Sequence, residues 1–198
     1  IKYLWGKDTN HFVESIAFNK RVKLLPTDMD NNTSAYTIST SIGCPLSTFN
    51  SQCAFCQTGT LQFYPLTAED IALQCIFMAE YDSNCPSPDV RKHQREFAFM
   101  GQGESGFCYD SVKRAILLND YVMRECNQQV SRYIISTCGI PDFIHSLIQD
   151  YRSGIFTNRV TLHFSLNAID GDRDIIMPVN KLYDYNEILD NIYLVLKN

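Results

Sequence analysis

Three cysteines on one predicted loop constrain this chain more than any other feature of its sequence. Cys44, Cys53 and Cys56 lie between an alternating, strand-like run at Tyr36–Ile42 and a helix-start signal at Thr67. Three thiolates on such a loop can bind three irons of a [4Fe–4S] cluster and leave the fourth iron open. The count of three therefore predicts a cluster that keeps one iron free for a further ligand.

Zinc is the alternative interpretation of the same cysteines. The two-residue gap between Cys53 and Cys56 also suits a tetrahedral zinc site. Such a site needs a fourth ligand, and His93, His145 and His163 are scattered without a paired spacing. The position of the cysteines after a strand, together with their number, favours the cluster.

Length and charge restrict the classes of function. At 198 residues the chain fits one domain with a sizeable core. No apolar run approaches the roughly 20 residues of a membrane span and no signal peptide is visible, so no membrane partner is predicted. The net charge of −5 limits RNA binding to a local basic patch. Only three of the eight cysteines are clustered, a pattern that favours a reduced, cytoplasmic setting over secretion.

Strands and helices alternate along most of the chain. We divide it into a β-hairpin with a linker, residues 1–35, and a core, residues 36–198. The predicted elements are hairpin strands at Lys2–Trp5 and Phe12–Phe18, core strands at Tyr36–Ile42, Glu96–Met100, Tyr133–Thr137 and Arg159–Leu166, helices at Thr67–Glu80, Tyr109–Glu125, Pro141–Tyr151 and Glu187–Leu196, and loops at Thr27–Thr33 and Asp82–His93. This alternation predicts an α/β fold with a parallel sheet and external helices. Four such units make half of an eight-stranded barrel, so either the sheet stays open or the core continues beyond this sequence.

Polar groups follow each later strand of the predicted core. They are Gly101–Glu104, Ser136–Gly139 and Ser165–Asn167. Each has a simple structural interpretation of its own, as a turn or a helix cap. However, the carboxyl ends of neighbouring parallel strands meet at one edge of a sheet. We therefore expect the cysteines and these three segments to converge.

The order of these motifs resembles the radical S-adenosylmethionine enzymes that methylate adenine, at C2 or C8, in ribosomal and transfer RNA. The similarity covers nearly the whole chain and implies a partial (β/α) barrel of the radical S-adenosylmethionine type. It rests on the segments Val13–Ile16, Ser39–Cys44, Phe55–Gly59, Leu66–Ile71, Phe99–Glu104, Ile135–Ile140, Phe164–Ala168 and Met177–Lys181.

The resemblance implies which residues bind the two cofactors. The three clustered cysteines would bind the [4Fe–4S] cluster. Gly103 and Glu104 would bind the amino end of S-adenosylmethionine, because a carboxylate accepts hydrogen bonds from an ammonium group.

Other residues receive roles from the same resemblance. Ser136, Ser165, Leu166 and Asn167 would contact the carboxylate and ribose of S-adenosylmethionine. Glu14 lies where the family has a glutamate that acts as a proton acceptor. Its alternative interpretation is a plain, solvent-facing strand residue.

The implied activity is a radical reaction. The reduced cluster passes an electron to the sulfonium of S-adenosylmethionine, and a 5′-deoxyadenosyl radical forms, so the cofactor carries the difficult chemistry. The resemblance implies rRNA or tRNA as substrate and an electron donor such as flavodoxin or ferredoxin. Two alternatives stay open: a radical enzyme that acts on a non-RNA substrate, and a non-catalytic module stabilised by its metal.

The chain departs from the family pattern at three points. The family separates its first two cluster cysteines by three residues, whereas eight residues separate Cys44 from Cys53, a distance that the chain can loop out easily. Asn167 replaces a histidine. The family also has a later cysteine that carries the methyl group, and no cysteine here matches it, which is why the non-RNA alternative is kept.

Overall fold

The computed structural model describes residues 2–6, 12–18, 33–83 and 94–196. Its strands are β1 (Lys2–Gly6), β2 (Phe12–Phe18), β3 (Thr33–Ile38), β4 (Ser41–Ile42), β5 (Tyr64–Pro65), β6 (Gln94–Phe99), β7 (Val130–Thr137) and β8 (Arg159–Phe164). Its α-helices are α1 (Ala68–Ser83), α2 (Tyr109–Glu125), α3 (Pro141–Arg152), α4 (Asp170–Ile176) and α5 (Tyr185–Leu196). None of these described helices has the length and apolar character needed to cross a bilayer.

Six strands form one sheet in the order β1-β2-β3-β6-β7-β8. Strands β3, β6, β7 and β8 run parallel, whereas β1, β2 and β3 pair antiparallel. The predicted α/β class is thus confirmed, and the predicted hairpin strands pair as β1 and β2. Strand β2 also pairs with β3, which joins the hairpin to the main sheet. The division at residue 35 and the partial barrel stay predictions.

One face of the sheet is covered by helices. Tyr36, Phe97 and Tyr133 lie level on neighbouring strands and stack, with ring centroids 5.3 and 5.8 Å apart. The Tyr133 hydroxyl accepts from Asn119 Nδ2 (2.8 Å) and donates to Asp120 Oδ1 (2.6 Å), which places α2 on this face. Each buried ring contributes roughly 2 to 3 kcal/mol of hydrophobic free energy. Strands β3, β6 and β7 are therefore held to the helix layer by aromatic packing.

The second face of the sheet carries non-aromatic side chains in the row next to Tyr36, Phe97 and Tyr133. Because strand residues alternate between faces, the residues between the aromatic ones point the other way. One level row on this second face consists of Ile16, Thr37, Ala98, Ile134 and Thr161. Among the described residues, the buried hydroxyls of Thr37 and Thr161 have no hydrogen-bond partner. This face therefore offers polar atoms that the described side chains leave unsatisfied.

The structure differs from the predicted elements in several places. The strand predicted at Tyr36–Ile42 is broken after Ile38, and β4 pairs with β5 in a separate two-stranded sheet. Helix α4 was not predicted, since its acidic sequence resembles a polar loop. The predicted loop at 27–33 lies outside the described residues up to Thr33, which begins β3. The second predicted loop also lies outside them, except that α1 extends to Ser83.

Candidate functional site

The carboxyl ends of four parallel strands meet at one edge of the sheet and are tied together there. Thr40 N donates to Gln102 O (2.8 Å), which joins the segments after β3 and β6. Ser165 N donates to Thr137 O (2.8 Å), which joins the ends of β7 and β8. The four polar segments predicted from the sequence therefore lie side by side, as expected for a parallel sheet.

The long interval between the first two cysteines is a compact turn. After Cys44 the chain forms a 3-10 helix at Pro45–Phe49. Ser51 N then donates back to Leu46 O (2.9 Å), and the Leu46 side chain is only 2% exposed. Folding the eight residues back on themselves brings Cys53 near Cys44 again.

The three candidate ligand thiols lie within electrostatic reach of one another. Cys44 is buried, and Cys53 and Cys56 are half-buried. Burial raises the pKa of Cys44 to about 12, and Glu104, Cys53 and Cys56 add to the increase. Burial also raises the pKa of Cys53 to about 11, with Cys56 adding to it and Arg173 opposing it. Coordination to a metal would reverse this preference, because a ligating thiol is deprotonated outright.

The side chains available as ligands restrict which metal ion or metal cluster this site can bind. In the part of the chain that the structure describes, no three His, Cys, Asp or Glu side chains are arranged to hold a single metal ion. His145 and His163 are both exposed, and His93 lies outside the described residues. A cluster makes a different demand, since its thiolates bind different irons rather than one ion. All seven cysteines that the structure describes are free thiols.

The segment Gly101–Glu104 packs tightly against the start of the cysteine loop. Gly103 has a φ of +107°, which favours glycine, and a Cβ there would lie 2.3 Å from Thr40 Oγ1 and 2.5 Å from Ser41 Oγ. The backbone thus requires glycine for a reason independent of any ligand. The contact of Gly103 with S-adenosylmethionine stays a prediction.

Glu104 joins the segments that follow β6 and β7. Its side chain is buried, Oε1 accepts from Gly106 N (2.9 Å) and Oε2 accepts from Cys138 N (2.9 Å). The first bond caps the 3-10 helix at Ser105–Cys108. An ionised carboxylate has about four lone-pair sites, so both oxygens retain acceptor capacity for the predicted ammonium contact.

The residues after β7 and β8 that are predicted to contact S-adenosylmethionine differ in burial and in hydrogen bonding. Ser136 is half-buried and lies on the second face of the sheet, level with His163. Asn167 has a φ of +55° and its Nδ2 donates to Met177 Sδ at 3.0 Å. Leu166 is partly exposed, and Ser165 is bound through its backbone to Thr137. The structure brings these residues to the shared edge, and their roles toward a cofactor stay predictions.

Glu14 lies on the second face of the sheet, because it is two residues from Ile16 on β2. Its Oε1 is 2.5 Å from Lys2 Nζ, and 29% of its side chain is exposed. Its carbonyl oxygen accepts from Ser39 Oγ (2.6 Å), which connects β2 to the end of β3. Glu14 is thus an ion-paired residue on the same face as Ser136, and its role as proton acceptor stays a prediction.

Sequence analysis missed two glutamines and one arginine that organise this edge. Gln102 Oε1 accepts from Gly43 N (3.2 Å). Gln74 accepts from Ser39 N (3.1 Å), and its Nε2 donates to Ser39 O (3.0 Å). Gln74 carried a usable signal, since it is a polar residue among the buried positions of a helix. Arg173 carried none, because its burial depends on elements far apart in the sequence.

We expect Gln74→Leu to lower the free energy of unfolding by about 2 to 3 kcal/mol, because it leaves buried backbone groups of Ser39 without partners. Ser15 Oγ, which donates to Gln74 Oε1 (2.8 Å), also loses its acceptor. Chemical denaturation measures the loss. Gln149→Leu is the matched control, since Gln149 is exposed on α3, and it should change stability by less than about 0.5 kcal/mol. Equal effects of the two variants would refute the bridging role of Gln74.

Comparison with known proteins gives relatives along most of the chain. No family model matches it. The chain is 32% identical over 196 residues to the probable dual-specificity RNA methyltransferase RlmN of Fervidobacterium nodosum, covering 96% of this chain and 47% of that protein. It is 30% identical over 194 residues to the protein of the same name in Thermotoga maritima, covering 96% and 48%. It is also 31% identical over 165 residues to the dual-specificity RNA methyltransferase RlmN of Rhizobium etli, covering 77% and 37%.

These relatives confirm the resemblance that the ordered motifs predicted. The chain spans about half the length of the first two of these curated relatives.

Proposed function

We propose that this chain forms the cofactor-binding part of an enzyme that methylates adenine in rRNA and tRNA. The reason is that it is related along nearly its whole length to dual-specificity RNA methyltransferases. The observation that carries the proposal is the meeting of three free thiols with Glu104 at the carboxyl edge of a parallel sheet. Ligands of α/β proteins bind at such an edge. RNA and a donor such as flavodoxin or ferredoxin are the proposed partners.

We propose further that residues 36–198 form a partial (β/α) barrel of the radical S-adenosylmethionine type. Two observations support this. The helices α1 and α2 cover one face of the sheet. Strands β3, β6, β7 and β8 run parallel, as the strands of such a barrel do. The proposed setting is cytoplasmic, because cluster ligation needs reduced cysteines and all seven described cysteines are free.

The residues present fit a [4Fe–4S] cluster and S-adenosylmethionine. Thiolates are the ligands that such clusters use, and Cys44, Cys53 and Cys56 would supply them. The unsatisfied hydroxyls of Thr37 and Thr161 suit a ligand with many polar groups, as does the carboxylate of Glu104. When bound, the two cofactors supply a one-electron cleavage that yields the 5′-deoxyadenosyl radical.

The protein's own contribution is to bind and orient the two cofactors and to exclude water from them. The buried Leu46 and Cys44 close the base of the cysteine loop. Glu104 would accept from the ammonium group of the cofactor while its backbone contacts fix its orientation, and charge-assisted bonds of this kind are strong. Glu14 would take up a proton at its carboxylate, on the same sheet face as Ser136.

The proposal is tested by measuring 5′-deoxyadenosine after anaerobic loading with iron and sulfide, reduction and addition of S-adenosylmethionine. We expect the unmodified chain to produce 5′-deoxyadenosine and Cys53→Ala to produce at least about 100-fold less. Loss of a direct cluster ligand should cost more than the roughly 10- to 100-fold loss typical when a residue that supports a ligand is changed. Cys126→Ala is the matched control, because Cys126 is an exposed thiol at the end of α2, and it should retain activity. No 5′-deoxyadenosine from the unmodified chain would contradict the proposal.

A second assay separates the candidate substrates. The loaded protein is incubated with rRNA fragments and tRNA, and methylated adenine is measured by mass spectrometry. Methylated adenine supports the RNA substrate. Formation of 5′-deoxyadenosine without it would favour the alternative of a radical enzyme that acts on a non-RNA substrate.

A further inference from the structure

Arg173 is a completely buried arginine beside the candidate site. It lies in α4, and none of its surface is exposed. Its Nη2 donates to Cys138 O (2.7 Å) and its Nε donates to Leu166 O (3.3 Å), so the side chain joins the segments that follow β7 and β8. Its Nη1 donates to Asn180 Oδ1. One side chain thus holds three separate segments of the carboxyl edge.

The guanidinium of Arg173 has no carboxylate in direct contact among the described residues. Among the described residues, no Asp or Glu forms an ion pair with it; the acceptors are two carbonyl oxygens and one amide oxygen. Its guanidinium carbon lies 5.6 Å from the ring centroid of Phe164 and 5.9 Å from that of Tyr185. Asp174 is exposed, is connected to the guanidinium through Asn180, and attracts its charge without an ion-pair contact.

A buried charge without a counter-ion is costly. Dipoles and aromatic rings offset part of this cost, and an anion bound nearby would offset more. The arrangement therefore suggests that the functional state of the protein contains a negative group close to Arg173.

The cysteine loop is the element that can bring such a negative group. Ala54 N, next to Cys53, donates to Ile176 O (2.9 Å) at the end of α4, so a hydrogen bond joins the cysteine loop directly to the helix that contains Arg173. Arg173 and Cys53 also interact electrostatically. Thiolates that ligate a cluster would add negative charge beyond that of the exposed Asp174, which does not touch the guanidinium.

We infer that Arg173 is a positioning residue whose buried positive charge balances the negative charge of the cysteine-ligated cluster and raises its reduction potential. This inference rests on the proposed function and deepens it. A cluster held by these cysteines would accept one electron from an external one-electron donor, such as a reduced flavodoxin or ferredoxin, and its negative charge would increase by one. A fixed cation nearby favours this reduced form, since net charge and hydrogen bonding set the potentials of such clusters.

The test measures the midpoint potential of the loaded protein by a redox titration followed with electron paramagnetic resonance. We expect Arg173→Gln to lower the ratio of reduced to oxidised cluster at a fixed potential about tenfold, a shift of about 59 mV to more negative values for one electron. Arg173→Lys keeps the charge and should restore most of the potential, although it loses hydrogen bonds. If Arg173 served only in packing, Arg173→Lys and Arg173→Gln would change the midpoint potential to the same extent.

Two further variants keep the test decisive. Asn180→Asp keeps the acceptor for Arg173 but adds a carboxylate, so it should lower the potential without removing the guanidinium, even if Arg173→Gln does not fold. Arg95→Gln is the control, because Arg95 is equally buried but lies near the amino end of β6, at the opposite edge of the sheet. It should destabilise the protein and leave the potential unchanged.

Each outcome has a defined meaning. Potentials of Arg173→Gln and Asn180→Asp that equal that of the unmodified loaded protein overturn the inference and leave the proposed function standing. An unmodified protein that loads no cluster overturns both. A negative shift in these two variants, with recovery in Arg173→Lys and none in Arg95→Gln, supports the inference.

Discussion

Gly103→Ala is expected to lower the free energy of unfolding by about 3 kcal/mol, the combined cost of backbone strain and overpacking. The φ of +107° is one that L side chains rarely adopt. The new Cβ would also lie 2.3 Å from Thr40 Oγ1 and 2.5 Å from Ser41 Oγ, so the segment that leads to the cysteine loop must move. Urea denaturation of the protein without cofactors measures the loss.

Gly154→Ala is the matched control for this prediction. Gly154 has a φ of +69°, and a Cβ there would have no heavy atom within 4 Å. It should therefore show only the backbone cost, about 1 kcal/mol. A loss at Gly103 no larger than the loss at Gly154 would contradict the close packing of the two segments. A Gly103→Ala protein that folds should also load less iron, because the displaced segment leads directly to Cys44.

Glu104→Gln is expected to weaken the binding of S-adenosylmethionine about 100-fold, because a charge-assisted hydrogen bond to the ammonium group is lost, a contribution of roughly 1.5 to 3 kcal/mol. The iron content should stay unchanged, since Glu104 is not one of the predicted ligands. The substitution also places an amide NH₂ against Cys138 N or Gly106 N, each now bound to a carboxylate oxygen. We therefore expect a loss of about 2 kcal/mol in stability as well.

Anaerobic equilibrium dialysis with labelled S-adenosylmethionine, together with iron analysis, checks this prediction. Glu69→Gln is the control, because Glu69 is exposed at the start of α1, and it should bind normally. Unchanged binding by a folded, iron-loaded Glu104→Gln protein would favour the non-catalytic module over the enzyme.

Sequence analysis predicted those helices and strands whose hydrophobic pattern lies within one short segment of the chain. The predicted bounds of α2 agree with the structure at Tyr109 and Glu125, because apolar residues recur there at helical spacing. The convergence of polar segments at one edge followed from the geometry of parallel strands alone. The break in the first predicted strand could not be foreseen in this way, since Gln102, which accepts from Thr40 N, lies about sixty residues away.

The candidate site shows the same limit. The three cysteines and Glu104 were identifiable from their residue types and order. The partners of Glu104 were not, because Cys138 reaches it only through the pairing of β6 with β7. Arg173 was missed for the same reason: its burial results from contacts with Cys138, Leu166 and Asn180, which no sequence period encodes.

The central claim is that Cys44, Cys53 and Cys56 bind a [4Fe–4S] cluster and leave one iron open to S-adenosylmethionine. The most direct measurement is iron and sulfide analysis of the anaerobically loaded chain, with electron paramagnetic resonance of the reduced protein before and after S-adenosylmethionine is added. We predict about four irons per chain and a resonance that changes when the cofactor binds, with both results lost in Cys56→Ala. One metal ion per chain, or a cluster resonance that the cofactor leaves unchanged, would contradict the account.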